Sequence, residues 1–291
     1  MRALVIARPG GPEVLEAREV EDPPAPGEGE VLLEVAAAGV NRVDTIQRMG
    51  LYPSPAGESP YPGVECSGTI LALGPNVPSR WAVGDKVCAL LSGGGYAEKV
   101  VVPAGQLLPI PEWVSLTDAA GLPEVACTVW STVFMISHLS PGESFLVHGG
   151  SSGIGTFAIQ MAKHLGIKVF VTAGVDVILD NVGGSYLQRN LNSLGVDGRL
   201  FIIGFQGGAV AEVNLQAVLI RRLTIQGAGL RNRSAANKAQ IVGEVEKNVW
   251  PAVAAGKVKP VIYKTFPLSE AAEAHRLMEA STHIGKILLL P

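Results

Sequence analysis

The sequence is poor in cysteine and in charged residues, and each shortage excludes a class of protein. Its three cysteines, Cys66, Cys88 and Cys127, lie far apart and form no C-x-x-C pair, so neither a disulfide framework nor a cysteine metal cluster is indicated. Charged residues make up 17% of the 291 residues and the formal net charge is -3, which argues against nucleic acid or an anionic membrane as a partner. The hydrophobic share of 47% is typical of a well-packed globular chain, and we expect a small-molecule ligand.

Long hydrophobic runs are also missing. The longest uncharged apolar stretch, residues 125–137, is shorter than the 18 or so residues that a membrane span needs, and it predicts a buried helix. The N-terminal apolar run is short and is interrupted by Pro9-Gly10-Gly11-Pro12, which is unlike a secretory signal. We therefore expect a cytoplasmic protein.

The length of the chain allows two domains. The pattern of apolar, Gly and Pro residues changes near residue 124. Before that point, Gly and Pro punctuate short β-type runs, which predicts an irregular and mostly antiparallel β domain. The β-type runs are residues 3–7, 30–36, 68–73, 86–91 and 97–102. After it, apolar strands alternate with helical periods, the pattern of a doubly wound α/β domain. The strands are predicted at 145–148, 168–172, 177–180, 199–204 and 223–229, with a helix at 153–165.

A glycine-rich turn links the first of these α/β strands to its helix. It has the sequence Gly149-Gly150-Ser151-Ser152-Gly153-Ile154-Gly155. Glycines at such a turn let backbone N–H groups approach a pyrophosphate at the positive end of the helix, so the context predicts a dinucleotide site. The spacing also resembles that of short-chain dehydrogenases, but about 140 residues precede the turn, and Tyr96, Tyr186 and Tyr263 lack a Lys four positions later. We reject that alternative.

Motifs along nearly the whole chain resemble one family. They are Gly39-Val40-Asn41-Arg42-Val43-Asp44, Gly50-Leu51-Tyr52-Pro53, Pro62-Gly63-Val64-Glu65-Cys66-Ser67-Gly68, Gly84-Asp85-Lys86-Val87, Gly94-Gly95-Tyr96-Ala97-Glu98, Leu122-Pro123-Glu124, Thr128, Trp130, Asp180-Asn181-Val182-Gly183-Gly184, Gly198-Arg199 and Ile284-Gly285-Lys286-Ile287. In these segments the chain resembles the zinc-free quinone oxidoreductases (zeta-crystallin-like) of the medium-chain dehydrogenase/reductase family, and most of all the p53-inducible type.

The resemblance implies a fold and a reaction. It implies an α/β protein with a GroES-like catalytic domain of residues 1–123 and 265–291 and a Rossmann-type NADPH-binding domain of residues 124–264. NADPH would donate hydride to a quinone. The segment Leu223-Thr224-Ile225-Gln226-Gly227 matches an edge strand that pairs across the axis of a homodimer, although a covered or monomeric edge is the alternative.

The resemblance also assigns roles to single residues. Asn41 and Tyr52 match positions that bind the acceptor, and Thr128 matches one that contacts the nicotinamide. The other expected cofactor positions are Gly150, Ser151, Ser152, Gly153, Ile154, Gly155, Thr172, Asn181, Gly204, Phe205 and Arg231. From the residues alone, Asn41 could instead cap a helix that begins near Val43, Tyr52 could pack in a turn, and Thr128 could face the core.

No metal is expected. Asn41 and Gly63-Val64 stand where zinc alcohol dehydrogenases of the same superfamily carry ligands, and the five histidines show no ligand spacing. A carbonyl oxygen that gains negative charge must then be stabilised by hydrogen-bond donors or solvent protons.

The nucleotide domain is incomplete after its second strand. That strand, 168–172, is followed almost at once by Val175-Asp176-Val177-Ile178-Leu179-Asp180, which matches the family's fourth strand. No acidic residue that would select NAD ends the second strand, and Asp176 is interpreted as the start of the fourth. Parallel strands need a crossover of a dozen or more residues, so about 35 residues are missing, including part of the expected site for the 2′-phosphate. Either the sequence omits residues that the natural molecule contains, or the chain is an alternative or deleted form.

Three hypotheses follow. The first is an NADPH-dependent quinone reductase. The second is an NADPH-dependent reductase of the C=C bond of enals or enones, which uses the same hydride geometry. The third is a catalytically inert truncated form that does not bind NADPH.

Overall fold

The computed structural model describes residues 1–170 and 174–291, and the described residues form two main sheets. The strands are β1 (Arg2–Ile6), β2 (Leu15–Glu19), β3 (Glu30–Val40), β4 (Glu65–Leu73), β5 (Lys86–Leu90), β6 (Lys99–Pro103), β7 (Leu107–Pro109), β8 (Ser144–Val147), β9 (Lys168–Phe170), β10 (Val175–Asp180), β11 (Leu194–Ile202), β12 (Thr224–Gly227), β13 (Ile262–Pro267) and β14 (Lys286–Leu290). The helices are α1 (Arg42–Arg48), α2 (Leu116–Ala119), α3 (Pro123–Val129), α4 (Gly153–His164), α5 (Leu187–Ser193), α6 (Gln216–Arg221), α7 (Ala235–Asn248), α8 (Trp250–Ala254) and α9 (Ala271–Ala280).

The first sheet is mostly antiparallel and unites the two ends of the chain. Its strand order is β13-β14-β3-β4-β5-β7, and β6 pairs with the first half of β3, residues 30–34. Alternate residues of β3, Val31, Leu33 and Val35, are buried, as expected of a strand with one face on a core. The C-terminal strand β14 pairs with β3, so the tail does rejoin the N-terminal sheet. Strand β13 begins at Ile262, slightly before the predicted boundary at residue 265.

The second sheet is parallel, with the order β12-β11-β10-β8-β9. A complete doubly wound sheet has the order 3-2-1-4-5-6. If β8 is strand 1 and β9 is strand 2, then β10 takes the place of strand 4. Among the described residues no strand 3 pairs with β9, which confirms a Rossmann-type domain that is incomplete after its second strand.

The registers show how short the link between β9 and β10 is. Phe170 is level with Leu146 of β8 on one side, and Ile178 is level with Leu146 on the other. The chain must therefore cross two strand spacings and return to Val175, a distance of about 14 Å by strand geometry. Five peptide links reach about 17 Å at most. The sequence between Phe170 and Val175 is thus shorter than the crossover of a dozen or more residues that joins neighbouring parallel strands.

Between the sheets lies a mostly helical stretch, Leu116–Ile136, in which a turn at residues 120–122 separates α2 from α3. Its 21 residues and mean hydropathy of 1.4 are enough to cross a membrane by length and composition alone, and it is longer than the sequence predicted. Of the most apolar 18-residue segment of this stretch, 72% is buried within the fold, and Val125, Ala126 and Val133 join the main core. It packs as the core helix that the sequence predicted. Its last part, Trp130–Ile136, is a π-helix, a form that often occurs near functional sites.

Candidate active site between the two sheets

The glycine-rich turn has the geometry that a phosphate site needs. Strand β8 ends at Val147, and α4 begins at Gly153 with Ser152 as its N-cap, whose Oγ accepts a hydrogen bond of 3.0 Å from Gly155 N. A Cβ on Gly155 would collide with the carbonyl oxygen of Gly149 and lie 2.6 Å from Gly150 Cα. Only glycine fits there, so the backbone can fold closely around the helix N-terminus, which is positive.

Three other predicted cofactor residues lie beside this turn. They follow β10 and β11, whose carboxyl ends share an edge of the sheet with β8. Asn181 Nδ2 is 2.8 Å from the place where a Cβ of Gly149 would stand, and a Cβ on Gly204 would lie 3.1 Å from Asn181 O. Phe205 is exposed at the same edge. The structure thus brings Gly150–Gly155, Asn181, Gly204 and Phe205 together, whereas Thr172 lies outside the described residues.

Asn41 belongs to a buried polar network. It stands at the N-cap of α1, and its backbone N–H donates to Asp44 Oδ2 at 2.8 Å. Its side-chain amide points elsewhere: Oδ1 accepts from Lys286 Nζ at 2.7 Å and Nδ2 donates to Glu65 Oε1 at 2.9 Å. Lys286 Nζ and Glu65 Oε1 are 2.5 Å apart, in a buried ion pair. Both ends of the Asn41 amide are therefore held by charged partners.

The same network reaches Thr128 and the glycine-rich turn. Glu124 N donates to Glu65 Oε2 at 2.9 Å, and Thr128 Oγ1 donates to Glu124 Oε1 at 2.8 Å. Next to Lys286 in sequence, Gly285 N donates to Ser151 O at 2.7 Å, which joins the C-terminal segment to the turn. Asn41 and Thr128, predicted for opposite reactants, are linked through two glutamates.

Burial changes the acid–base behaviour of this region. It raises the pKa of Glu124 to about 7; Lys286 opposes the rise and Glu65 adds to it. It also raises the pKa of Asp44 to about 6, although Asp44 accepts hydrogen bonds from Asn41 N, Gly63 N and Tyr96 OH. Carboxyl groups that titrate near neutral pH are common in active sites.

The roles of Glu65, Glu124 and Lys286 were not predicted from the sequence. All three fall inside motifs that carry the family resemblance. A signal was nevertheless present, because Glu65 and Lys286 each open a strand that carries no other charged residue, β4 and β14. Charged residues are almost never fully buried unless they are paired.

Tyr52 and Arg231 lie together in a different part of the interface. The Arg231 guanidinium is 5.6 Å from the centre of the Tyr52 ring. Its Nε donates to Ser92 O at 2.8 Å and its Nη2 donates to Gln47 Oε1 at 2.6 Å. Arg231 thus ties the segment after β12 to α1 and to the loop that follows β5.

One aspartate and the three cysteines could suggest other chemistry, but their surroundings in the structure explain them. Asp176, at the start of β10, accepts hydrogen bonds from Ser144 N and Ser144 Oγ, both at 2.7 Å. Its carboxylate is thereby engaged within the sheet, in accord with its interpretation as the start of the fourth strand. Burial raises the pKa of the thiols of Cys66, Cys88 and Cys127, which keeps them protonated. Among the described residues no group of three His, Cys, Asp or Glu is arranged to hold a metal.

Family models match both parts of the chain. The alcohol dehydrogenase GroES-like domain matches residues 27–112, and a model described as zinc-binding dehydrogenase matches residues 164–289. The quinone oxidoreductase of Rattus norvegicus is 30% identical over 328 residues, covering 100% of this chain and 98% of the relative. The 2-haloacrylate reductase of a Burkholderia species is 30% identical over 335 residues, covering 99% of this chain and 98% of the relative.

A solved structure has the same fold. The Escherichia coli quinone oxidoreductase complexed with NADPH superimposes with a TM-score of 0.86 at 26% identity, and the match covers 100% of both chains. The length of the sequence alignments bears on the short link. The rat alignment spans 328 positions and this chain has 291 residues, so at least 37 positions of the relative have no counterpart here.

Proposed function

The chain belongs to the medium-chain dehydrogenase/reductase family, and from this premise we propose that it reduces quinones with NADPH. The observation that carries the proposal is the meeting of three features at one interface. The glycine-rich turn lies at the carboxyl edge of the parallel sheet, and Lys286 and Gly285 tie that turn to Asn41. Glu65 and Glu124 in turn link Asn41 to Thr128. Ligands of doubly wound sheets bind at this edge.

The residues present fit the pyrophosphate part of the cofactor. The turn leaves no space for a Cβ at Gly155, and the buried Asn181 Oδ1 beside Gly149 has no hydrogen-bond partner among the residues that the structure describes. Gly150–Gly155 and Asn181 would hold the cofactor, with Thr128 near its nicotinamide. NADPH, when bound, supplies the hydride. Thr172 and Phe205 remain proposed contacts of its other parts.

The acceptor would lie between Asn41 and Tyr52. The charged partners of Asn41 hold its amide in one orientation, and its Nδ2 also approaches Gly39 O at 3.3 Å. The Tyr52 phenol is less engaged than the Asn41 amide and can donate to an acceptor oxygen that gains negative charge. The second proton of the reduction would come from water.

The proposal is tested by titrating the purified chain with NADPH, followed by fluorescence, with the intact mass recorded on the same sample. Low-micromolar binding and formation of a hydroquinone support a competent reductase. A measured mass that exceeds 30.3 kDa by the mass of about 35 residues would mean that the natural molecule carries the missing crossover. No binding at 30.3 kDa would contradict the proposal and favour the inert truncated form.

Reduction of an activated C=C bond is the second candidate. It is favoured by the similarity to the 2-haloacrylate reductase, which matches this chain over almost its whole length. Both reactions use the same hydride geometry. Analysis of the product separates them, because a quinone gives a hydroquinone and an enone gives a saturated carbonyl compound.

We also propose a homodimer through β12. This strand ends the parallel sheet and its residues are exposed, and Leu219 and Ile220 of the neighbouring α6 are 80% and 65% exposed. An open edge beside apolar side chains favours pairing with a second copy. Light scattering should give twice 30.3 kDa for the chain and a monomer for Ile225→Lys. A monomeric unmodified chain contradicts this proposal.

A further inference from the structure

Two cationic side chains are buried side by side at the interface. Arg231 is 7% exposed and Lys238, on α7, is 1% exposed. They meet at Ser92, in the loop that follows β5: Arg231 Nε donates to Ser92 O at 2.8 Å, and Lys238 Nζ donates to Ser92 Oγ. Two positive charges are therefore removed from water within the same small region.

Neither cation is neutralised by a close carboxylate. Among the residues that the structure describes, no Asp or Glu forms an ion pair with Arg231 or Lys238. Asp44 and Glu58 act on them only through longer-range attraction. Burial lowers the pKa of both groups, as expected when a charge loses its hydration. Buried charges are normally paired with an opposite charge. Arg231 and Lys238 have no such counter-ion among the described residues.

Hydrogen-bonding capacity is also left over. An ammonium group has three donors, and Lys238 Nζ uses one of them, on Ser92 Oγ. Among the guanidinium nitrogens of Arg231, Nη1 is the least engaged, since its contact with Tyr52 O measures 3.5 Å. The unused donors could serve an acceptor group that carries negative charge.

The position of these donors identifies the occupant. Arg231 lies against the Tyr52 ring and also contacts Ser54 Oγ at 3.2 Å, so the cations adjoin the loop that carries the proposed acceptor residue. The glycine-rich turn, by contrast, contacts Gly285 and Lys286 at the other side of the network. We propose that Arg231 and Lys238 bind a carboxylate of the acceptor, so that the preferred substrates are anionic quinones or unsaturated acids. This inference rests on the proposed reductase function, because it names the acceptor class.

The test compares a benzoquinone that bears a carboxylate with the methyl ester of the same compound. Calorimetric titration of the full chain should show the carboxylate binding at least about tenfold more tightly than the ester, the effect of a charge-assisted hydrogen bond. In steady-state reduction with NADPH, the ratio of kcat/KM for carboxylate over ester should fall about tenfold in Lys238→Met. Lys238→Arg, which keeps the charge, should retain most of the ratio.

Lys247→Met is the matched control, because Lys247 is exposed on the same helix, and it should leave the ratio unchanged. Equal binding of carboxylate and ester by the unmodified chain overturns the inference without the need for any variant. If Lys238→Met weakens NADPH binding instead and the acceptor ratio is unchanged, the cations serve a cofactor phosphate and the inference is wrong. A chain that prefers the carboxylate but reduces neither compound keeps the anion site and contradicts the proposed function.

Discussion

Charged side chains at the interface depend on one another because water does not reach them. Lys286 satisfies Glu65 and Asn41 at once, and Glu65 in turn accepts hydrogen bonds from Asn41 and from the backbone of Glu124. A buried charge whose partner is removed stays uncompensated, which is costly. These residues therefore couple the stability of the protein to the geometry around Asn41.

Lys286→Met should lower the free energy of unfolding by about 3–5 kcal/mol, because it leaves the Glu65 carboxylate buried and unpaired. The double variant Lys286→Met with Glu65→Gln should be less destabilised than the single variant, since the buried charge is gone. Urea unfolding measures the free energy of unfolding of both variants. The exposed Lys257→Met is the control and should change stability by about 0.5 kcal/mol or less. Additive losses in the double variant would show that the two residues are not coupled.

Glu124 should make stability depend on pH near neutrality. Its pKa rises from 4.5 to about 7 on folding, mainly through burial, so between these pH values the folded state keeps a proton that the unfolded state releases. The free energy of unfolding should therefore fall as pH rises from about 4.5 to 7. Glu124→Gln cannot release a proton and should lose this contribution. Unfolding midpoints of the two proteins at pH 5, 6, 7 and 8 measure the difference, and a constant difference contradicts the assignment.

At the scale of elements, the strand, turn and helix from β8 to α4 form the unit that we propose for cofactor binding. The local sequence predicted this unit well, since an apolar run, a glycine cluster and a helical period are all visible within 20 or so residues. The predicted edge position of the strand at residues 223–229 is confirmed, as is the buried helix after residue 124. Its π-helical end had no sequence signal.

Gly155→Ala should weaken NADPH binding at least about tenfold, because the added Cβ meets the backbone of Gly149 and Gly150 and forces the turn open. Fluorescence titration measures the dissociation constant. Gly243→Ala is the matched control: it lies within α7, nothing surrounds the added Cβ, and a gain of about 0.5–1 kcal/mol in stability is expected without loss of affinity. Unchanged affinity in Gly155→Ala would exclude the turn from cofactor binding.

At the scale of the whole molecule, the parallel sheet has no strand that flanks β9 within residues 1–170 and 174–291. The rat relative carries at least 37 positions that this chain does not have. In a complete sheet the missing crossover covers the edge and supplies part of the cofactor site. Any loss of NADPH affinity in this chain should trace to this one place.

A crossover of about 35 residues from the rat relative, inserted between Gly174 and Val175, should tighten NADPH binding at least about tenfold, because it adds the third strand and contacts to the 2′-phosphate. A Gly/Ser linker of equal length at the same junction is the control and should have no such effect. Dissociation constants for NADPH and NADH are compared in all three proteins. If crossover and linker tighten NADPH binding equally, the added length of the link explains the gain in affinity and the added strand does not.

The sequence by itself determined the fold class, the two sheets, the glycine-rich turn and the break after the second strand. These follow from hydrophobic periodicity and turn residues, which act over a few neighbouring positions. Only the tertiary structure decided which charges meet. Lys286 bonds Asn41 across 245 positions, and Lys238 bonds Ser92 across 146. Such contacts depend on how elements that are distant in sequence pack together, and no local pattern encodes that packing.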